Sequence, residues 1–324
     1  MGIEELLPRD VADLPDYAPI PESELGPALN ANGYHVGQVH GNLYYVTEGV
    51  YQAPFLVTPE GVVLIDAPPT IGHNIQRGID DVARQLGLPN KVTHFIYSHN
   101  HTDHAGATAL FGDDLVRIGH RETRNLLLRA NDPNRPAPHE VFDSELSLTV
   151  GGERLELAWH GTNHSPDNIF INLPEHDTLV VIDVVLPGWA PFANFNLHED
   201  VQGAMAAAKK INEYHYSHLI AGHLGRIATP VDVRIQQQYN ADLEESVKTA
   251  LSTTDPTPFF VRYSANPWAG SRHYLEAVAA AAARPIVEKY TGVLAGVDVF
   301  ALTSAFQMMQ SNRLDIGFGS YIHP

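Results

Sequence analysis

An apolar run ending at Tyr97 opens into the segment Ser98–Gly106, where His99, His101, Asp103 and His104 fall within six residues. Imidazole and carboxylate are the donors that a borderline divalent cation such as Zn²⁺ takes when thiolate is absent. Thiolate is absent here, because the chain has no cysteine. A strand-to-helix turn can aim His99 and His101 one way and Asp103 and His104 another, so one segment could feed two neighbouring cations. A polar turn with surface histidines would carry the same letters. Further donors at later strand ends separate the two readings, and three stand there. His164 precedes the β-rich run Ile169–Asn172, Asp183 ends the apolar run that starts at Leu179, and His223 follows Leu219–Gly222. Strand ends are where a β scaffold presents its functional loops. Singly, such an Asp is a turn former and such a His a packed ring; with the first motif, coincidence is hard to sustain.

The H-x-H-x-D-H string with these later donors resembles the metallo-β-lactamase superfamily, over roughly Leu43 to His223. The resemblance implies an α/β fold, an αββα sandwich with its metal site at one edge. It implies that His99, His101 and His164 bind one metal, that Asp103, His104 and His223 bind the second, and that Asp183 bridges. The cofactors expected are two divalent metal ions, Zn²⁺ first, with Fe or Mn as alternatives. Asp66, after Val62–Ile65, is similar to the family's strand-ending Asp that orients a ligand histidine. The sequence departs from common family patterns at Asn163, where many members have Gly, and at His223, which sits in Gly-His-Leu-Gly. A full His/Asp set with a bridging Asp is closer to the glyoxalase II, lactonase and phosphodiesterase branches than to the best-known β-lactamases. Lactonases carry Tyr three residues past the bridge, and here that residue is Leu186. His101 stands where flavodiiron proteins have Glu.

The chemistry so implied is hydrolysis of a small carbonyl substrate: an ester, lactone, thioester or amide. Two cations would hold a bridging hydroxide, lowering the pKa of water from about 16 toward about 7. Asp103 is the candidate catalytic carboxylate, accepting a hydrogen bond from that nucleophile. The alternatives are β-lactamase activity and an iron-dependent dioxygenase of the same fold. No G-x-S-x-G elbow or phosphate-cradling P-loop occurs. Trp189, Phe192 and Phe195, just past the bridge, are expected to wall the substrate pocket, with Arg226 as a cation for an anionic group. Phe259, Phe260, Trp268 and Tyr274 are expected to cap the site or form a dimer contact.

These donors need elements to place them. Leu43–Thr47, Phe55–Thr58 and Val62–Asp66 read as a β-meander broken by Gly and Pro. Ile75, Ile79, Val82 and Leu86 mark a helix, Val92–Tyr97 a buried strand, Ala105–Phe111 a helix start and Leu115–Gly119 another strand. The Pro-rich stretch 131–143 reads as a loop over the site. Leu146–Val150 and Arg154–Trp159 flank Gly151 and Gly152 as a hairpin. Val201–Ile211 and the stripe Ile235, Tyr239, Leu243, Val247 are helical. An Ala-rich helix from Ser271 is expected to break at Pro285, with another around Val297–Gln310. The division is an extended or disordered arm over 1–30, a metallo-β-lactamase-like domain over 31–252 and a helical C-terminal extension over 253–324.

Composition bounds the partners. The formal net charge of −18, with no run of Lys or Arg, opposes nucleic acid and acidic membrane surfaces. A small-molecule substrate is the expected partner, with a homo-oligomer left open. Ala277–Val287, the closest approach to a membrane span, is broken by Arg284 and Pro285. A soluble, cytoplasmic protein is expected, or a periplasmic one if a leader has been removed, because the start of the chain lacks a basic and apolar leader.

Overall fold

The structure is a computed structural model that describes residues 14–318. The expected N-terminal arm lies outside it over residues 1–13. Its described part is not free: Glu24 pairs with Arg226 at 2.7 Å and the Ala18 amide donates to Asp298 at 2.7 Å.

Two sheets form the body. The first has seven strands in chain order: β1 (His35–His40), β2 (Leu43–Thr47), β3 (Gln52–Thr58), β4 (Gly61–Ile65), β5 (Val92–Ile96), β6 (Val116–His120) and β7 (Glu140–Phe142). Strands β1 to β4 are the antiparallel meander, and β4 to β7 run parallel. The second sheet has the order β12-β11-β10-β9-β8, built from β8 (Glu145–Val150), β9 (Glu153–Trp159), β10 (Ile169–Leu173), β11 (Thr178–Val181) and β12 (His218–Ile220).

The layering follows from the two-residue period of a strand. In β4, Val62 and Leu64 face the helix α1 (Asn74–Leu86) and meet Ile75, Ile79 and Val82. Val63 and Ile65 face the other way and meet Leu157, Ile171 and Val180 of the second sheet. Each large apolar side chain so buried contributes roughly 1.5–3 kcal/mol. Beyond the second sheet, α5 (Val201–Lys210) packs Ala207 and Ala208 on Phe170, Leu179 and Val181. The result is the αββα sandwich.

Parallel pairing decides where the site lies. Ile65 pairs with Ile96, so β4 and β5 end at one edge and deliver Asp66 and the 98–104 segment there. Val180 pairs with Ile220 in parallel, which brings Asp183 and His223 out beside each other.

After β5 come α2 (Thr102–Ala105), α3 (Arg121–Ala130) and the short turn α4 (Ala193–Asn196). A helical region then follows: α6 (Pro230–Thr253), α7 (Thr257–Arg262), α8 (Pro267–Tyr290) and α9 (Val297–Leu314). The expected break at Pro285 does not occur, and α8 runs through it. Its ring forfeits one backbone bond, typically about 3 kcal/mol. Val278, Ala282, Ile286 and Tyr290, buried against the neighbouring helices, hold the helix together around it. Among the described residues, no helix is long and apolar enough to cross a membrane. The tail aromatics do not cap the site: Tyr274 is buried beside Phe259, while Phe260 and Trp268 face outward.

Candidate metal centre

Backbone geometry at four strand ends aims the donors. Asp66 takes a left-handed conformation (φ 59°) just past β4, and its Oδ1 accepts the Ser98 amide at 2.8 Å, tying the first turn to the second. His101 caps α2 with extended backbone, which turns His104 back toward the sheet edge, where its carbonyl accepts the Ala67 amide at 2.6 Å. Asp183 is also left-handed (φ 66°); its amide donates to Ala221 at 3.1 Å and its carbonyl accepts Asn196 Nδ2 at 2.8 Å. Gly222, before His223, has φ 87°, and a Cβ there would stand 2.5 Å from Ile182 Cγ2 and 3.0 Å from His104 Cε1. Glycine is required at that step by both conformation and space. The His164 amide donates to Asn163 Oδ1 at 2.7 Å, so Asn163 shapes the loop that carries His164.

The seven donors fall into two clusters, His99–His101–His164–Asp183 and Asp103–His104–His223, with ligand atoms in each lying within 4.8 Å of one another. Asp183 joins them. Its Oδ2 is 3.1 Å from His104 Nε2, 3.2 Å from His164 Nε2 and 3.4 Å from His99 Nε2, and its Oδ1 is 2.9 Å from His223 Nε2. His164 Nε2 is 3.0 Å from His101 Nδ1, and His104 Nε2 is 3.2 Å from His223 Nε2. A tetrahedral cation with bonds of about 2.0–2.1 Å holds its ligands about 3.3 Å apart. His99 Nε2 and Asp183 Oδ1 are buried without a hydrogen bond of acceptable alignment, despite these close approaches. Such atoms aim at a shared point rather than at each other. Five imidazoles and two carboxylates gathered in this way fit divalent cations.

Burial and the central carboxylate set the charges. Burial pushes His99 well below the usual histidine range, helped by His101 and His104. Burial also pulls His164 down, to about 4, against the attraction of Asp183. Burial alone would lower His104, but Asp183, with Asp103 and Asp66, raises it to about 9. Burial opposes ionisation of Asp183, yet His104, His223 and His164 hold it well below the carboxylate range. Asp66 is pushed up to about 7 by burial, partly offset by His104 and Ser98. Asp66 Oδ2 and His104 Nδ1 are both buried and unpaired, and the charges of the two groups are coupled. Asp66, expected to orient a ligand histidine, thus acts on His104 through its charge, and its one hydrogen bond at the site is to the Ser98 amide.

A cavity of about 250 Å³ opens on the centre, lined by His101, Asp103, His164, Asp183 and His223 on one side and by Phe192, Ala193, Asn196 and Leu197 on the other. Of the three aromatics expected there, Phe192 alone lines it, its ring 5.6 Å from that of His223. Phe195 is fully buried in the helical core, because the backbone reverses direction at α4. Asn194, Phe195, Asn196 and Leu197 all have φ near 55°, a left-handed turn costing roughly 1–2 kcal/mol per residue. Bonds from the Asn194 amide to Thr303 Oγ1 (3.0 Å) and from the Phe195 amide to Ser304 Oγ (3.2 Å) hold it to α9. Trp189 does not line the cavity; its ring lies 6.1 Å from that of Phe192 and its backbone is bridged to Ala295. The 131–143 stretch, expected over the site, instead buttresses the motif from outside the cavity: Arg135 Nη1 donates to the Asn100 carbonyl at 2.6 Å.

Arg226 is likewise not a pocket residue. Its Nε meets Glu24 and its Nη2 meets Asp232, each at 2.7 Å. Burial works against the Asp232 charge, but the Arg226 guanidinium and the Thr229 backbone hold that carboxyl below its usual range. A carboxylate with a depressed pKa contributes stability above its unfolded value, near 4, and loses it as pH falls through the folded value. Asp232→Asn should therefore be destabilising at pH 7. The gap in urea midpoint from the wild type should shrink toward pH 3.

Residues without a motif also join the site. Tyr51 stacks obliquely on His223, with ring centres 4.7 Å apart, and burial with the Asp103 and Asp183 charges raises its hydroxyl to about 12. His198 packs against His164. Neither carries a spacing signal, because each arrives through the folding of a loop.

Comparison with known proteins agrees with this geometry. A family model described as metallo-beta-lactamase superfamily matches residues 47–223. The alpha subunit of 2,4-dinitroanisole O-demethylase from Nocardioides sp. (strain JS1661) is 24% identical over 254 residues, spanning 76% of this chain and 70% of that protein. Metallo-beta-lactamase type 2 from Elizabethkingia meningoseptica is 26% identical over 186 residues, or 56% of this chain and 72% of that one. The solved metallo-beta-lactamase from Pontibacter korlensis superposes with a TM-score of 0.56 at 18% identity, covering 64% of this chain and 99% of its own. That likeness is one of fold.

Proposed function

The chain belongs to the metallo-beta-lactamase superfamily, and on that premise we propose that it is a dinuclear metallohydrolase acting on a small uncharged carbonyl substrate with an apolar or aromatic group. The carrying observation is the complete donor set joined through Asp183. His99, His101 and His164 would hold one divalent cation, and Asp103, His104 and His223 the other, with Asp183 between them. Zn²⁺ is the first candidate. Bound there, the pair would supply a water ionised near neutral pH and Lewis-acid polarisation of the substrate oxygen.

The protein's own groups do the rest. Asp103, 41% exposed and facing the cavity, accepts a hydrogen bond from the attacking water and orients it. Phe192 and Leu197 exclude solvent and seat an apolar substrate group. Among the described residues, no Lys or Arg lines the cavity, so an anionic substrate group finds no side-chain partner. The relative that is named for 2,4-dinitroanisole acts on a neutral aromatic compound, which suits the apolar wall of the cavity but not a carbonyl target, and so an aryl methyl ether belongs among the substrates to be tried.

Metal analysis combined with a panel of aryl esters, lactones, thioesters, amides, a nitroaryl methyl ether and nitrocefin tests it. Two metal ions per chain and turnover of a neutral carbonyl substrate are expected. Turnover of nitrocefin alone would move the activity to β-lactams, and bound iron with oxygen uptake would move it to dioxygenation. A chain that takes up no metal would defeat the proposal. Phe192→Ala should raise KM for an aromatic ester by roughly tenfold, the scale of one apolar contact, with kcat and metal content little changed.

A further inference from the structure

His164 presents Nε2 to the centre, 3.2 Å from Asp183 and 3.0 Å from His101. For Nε2 to act as a ligand it must be bare, so the proton of the neutral ring belongs on Nδ1. That Nδ1 lies 3.2 Å from Nδ1 of His198, with the rings nearly perpendicular. We propose that His198 is a positioning residue: its Nδ1 accepts the His164 Nδ1–H and fixes His164 in the ligand tautomer, and the left-handed turn clamped by α9 sets His198 in place. The proposal rests on the reading of these residues as a metal centre.

The surroundings are built to hold this pair. His198 is buried, and its ring edge lies against Phe195, which the turn drives into the helical core. The next two amides return to the same loop, Glu199 to the His164 carbonyl and Asp200 to the Asn163 carbonyl, each at 3.1 Å. Gly203 then approaches that loop so closely that a Cβ would sit 2.0 Å from the Thr162 carbonyl oxygen. Upstream, Asn194 and Phe195 are bonded to Thr303 and Ser304 of α9. The C-terminal helices therefore reach the metal centre through the turn and one imidazole. A histidine ligand commonly gives its second N–H to a carboxylate, carbonyl or water; here a neutral histidine takes that place.

The test is Zn²⁺ binding by the full chain, read by competition with a chromophoric chelator, for the wild type and for His198→Ala, His198→Leu and His198→Gln. Alanine removes the acceptor, leucine fills the space without one, and glutamine can restore one. The first two should lose about 10–100-fold in affinity for one of two zinc ions, as other supports of ligand histidines do. Glutamine should recover most of that loss. In the zinc-loaded wild type, NMR should detect a protected His164 Nδ1–H proton that disappears in the leucine variant. Unchanged affinities in the alanine and leucine variants would overturn the proposal, as would a glutamine variant as weak as leucine, since that pattern reports packing alone. A wild type that binds no zinc would overturn it together with the proposed function. A wild type that binds two zinc ions and hydrolyses nothing on the panel would defeat the activity only, and the variant affinities would still decide the role of His198.

Discussion

Asp183→Asn should leave a folded chain that no longer retains two metal ions and whose hydrolysis falls by about 10³-fold or more. The fold should survive because asparagine has the same shape and tolerates the left-handed backbone at this position. The two main-chain bonds that fix residue 183, to Ala221 and from Asn196, do not involve its carboxylate. What is lost is the buried carboxylate charge whose oxygens lie within 3.4 Å of nitrogens of four of the five imidazoles. Without it, two divalent cations would face each other with Asp103 as the remaining charged ligand, and their mutual repulsion would go unscreened. His104 offers an independent signal in the metal-free chain. Asp183 is the chief of the three carboxylates, with Asp103 and Asp66, that raise it to about 9 against burial. In the variant it should therefore lose its proton at a lower pH, which NMR titration of the ring can follow. Elemental analysis and turnover give the main result. Two tightly held metals in Asp183→Asn would remove this residue from the centre.

The convergence of the candidate donors could be read from the sequence because the chemistry and the scaffold marked the same positions. His99, Asp183 and His223 each end or closely follow an apolar run, and parallel pairing of β4 with β5 and of β11 with β12 turns such ends into neighbours. The inner strands were legible for a related reason: β4 is buried on both faces, so its run of apolar residues has one structural use. Strand β1 was not legible, since His35, Gln38 and His40 on a sheet edge give no alternation that burial would enforce. The walls of the cavity were harder still. Phe192 and Phe195 are three residues apart in one loop, yet one lines the cavity and the other enters the helical core. The difference lies in four left-handed residues anchored to Thr303 and Ser304, more than one hundred residues away. Arg226 misled for the opposite reason. Nearness to His223 in the chain suggested a free cation, and the partners that neutralise it come from position 24 and from the first turn of α6.

Asp103→Asn should separate catalysis from assembly. The side chain is 41% exposed and its Oδ2 lies 3.6 Å from His104 Nε2 and 3.7 Å from His223 Nε2, longer than the Asp183 contacts to the same rings. On the proposed reading it would therefore be the more loosely held ligand, and it faces the cavity. Removing its charge should weaken one cation site and leave the site of His99, His101, His164 and Asp183 intact. Removing the acceptor that orients the attacking water should lower kcat by about 10²–10⁴-fold, the range of a lost general base. KM should change little, because Phe192 and Leu197 still seat the substrate. Thermal stability should also hold, since an exposed carboxylate contributes little to folding. Restoring full metal occupancy with excess Zn²⁺ makes the test decisive. If activity then returned to the wild-type level, Asp103 would be a ligand and nothing more. If activity stayed low with two metals bound, its work would lie in placing the nucleophile.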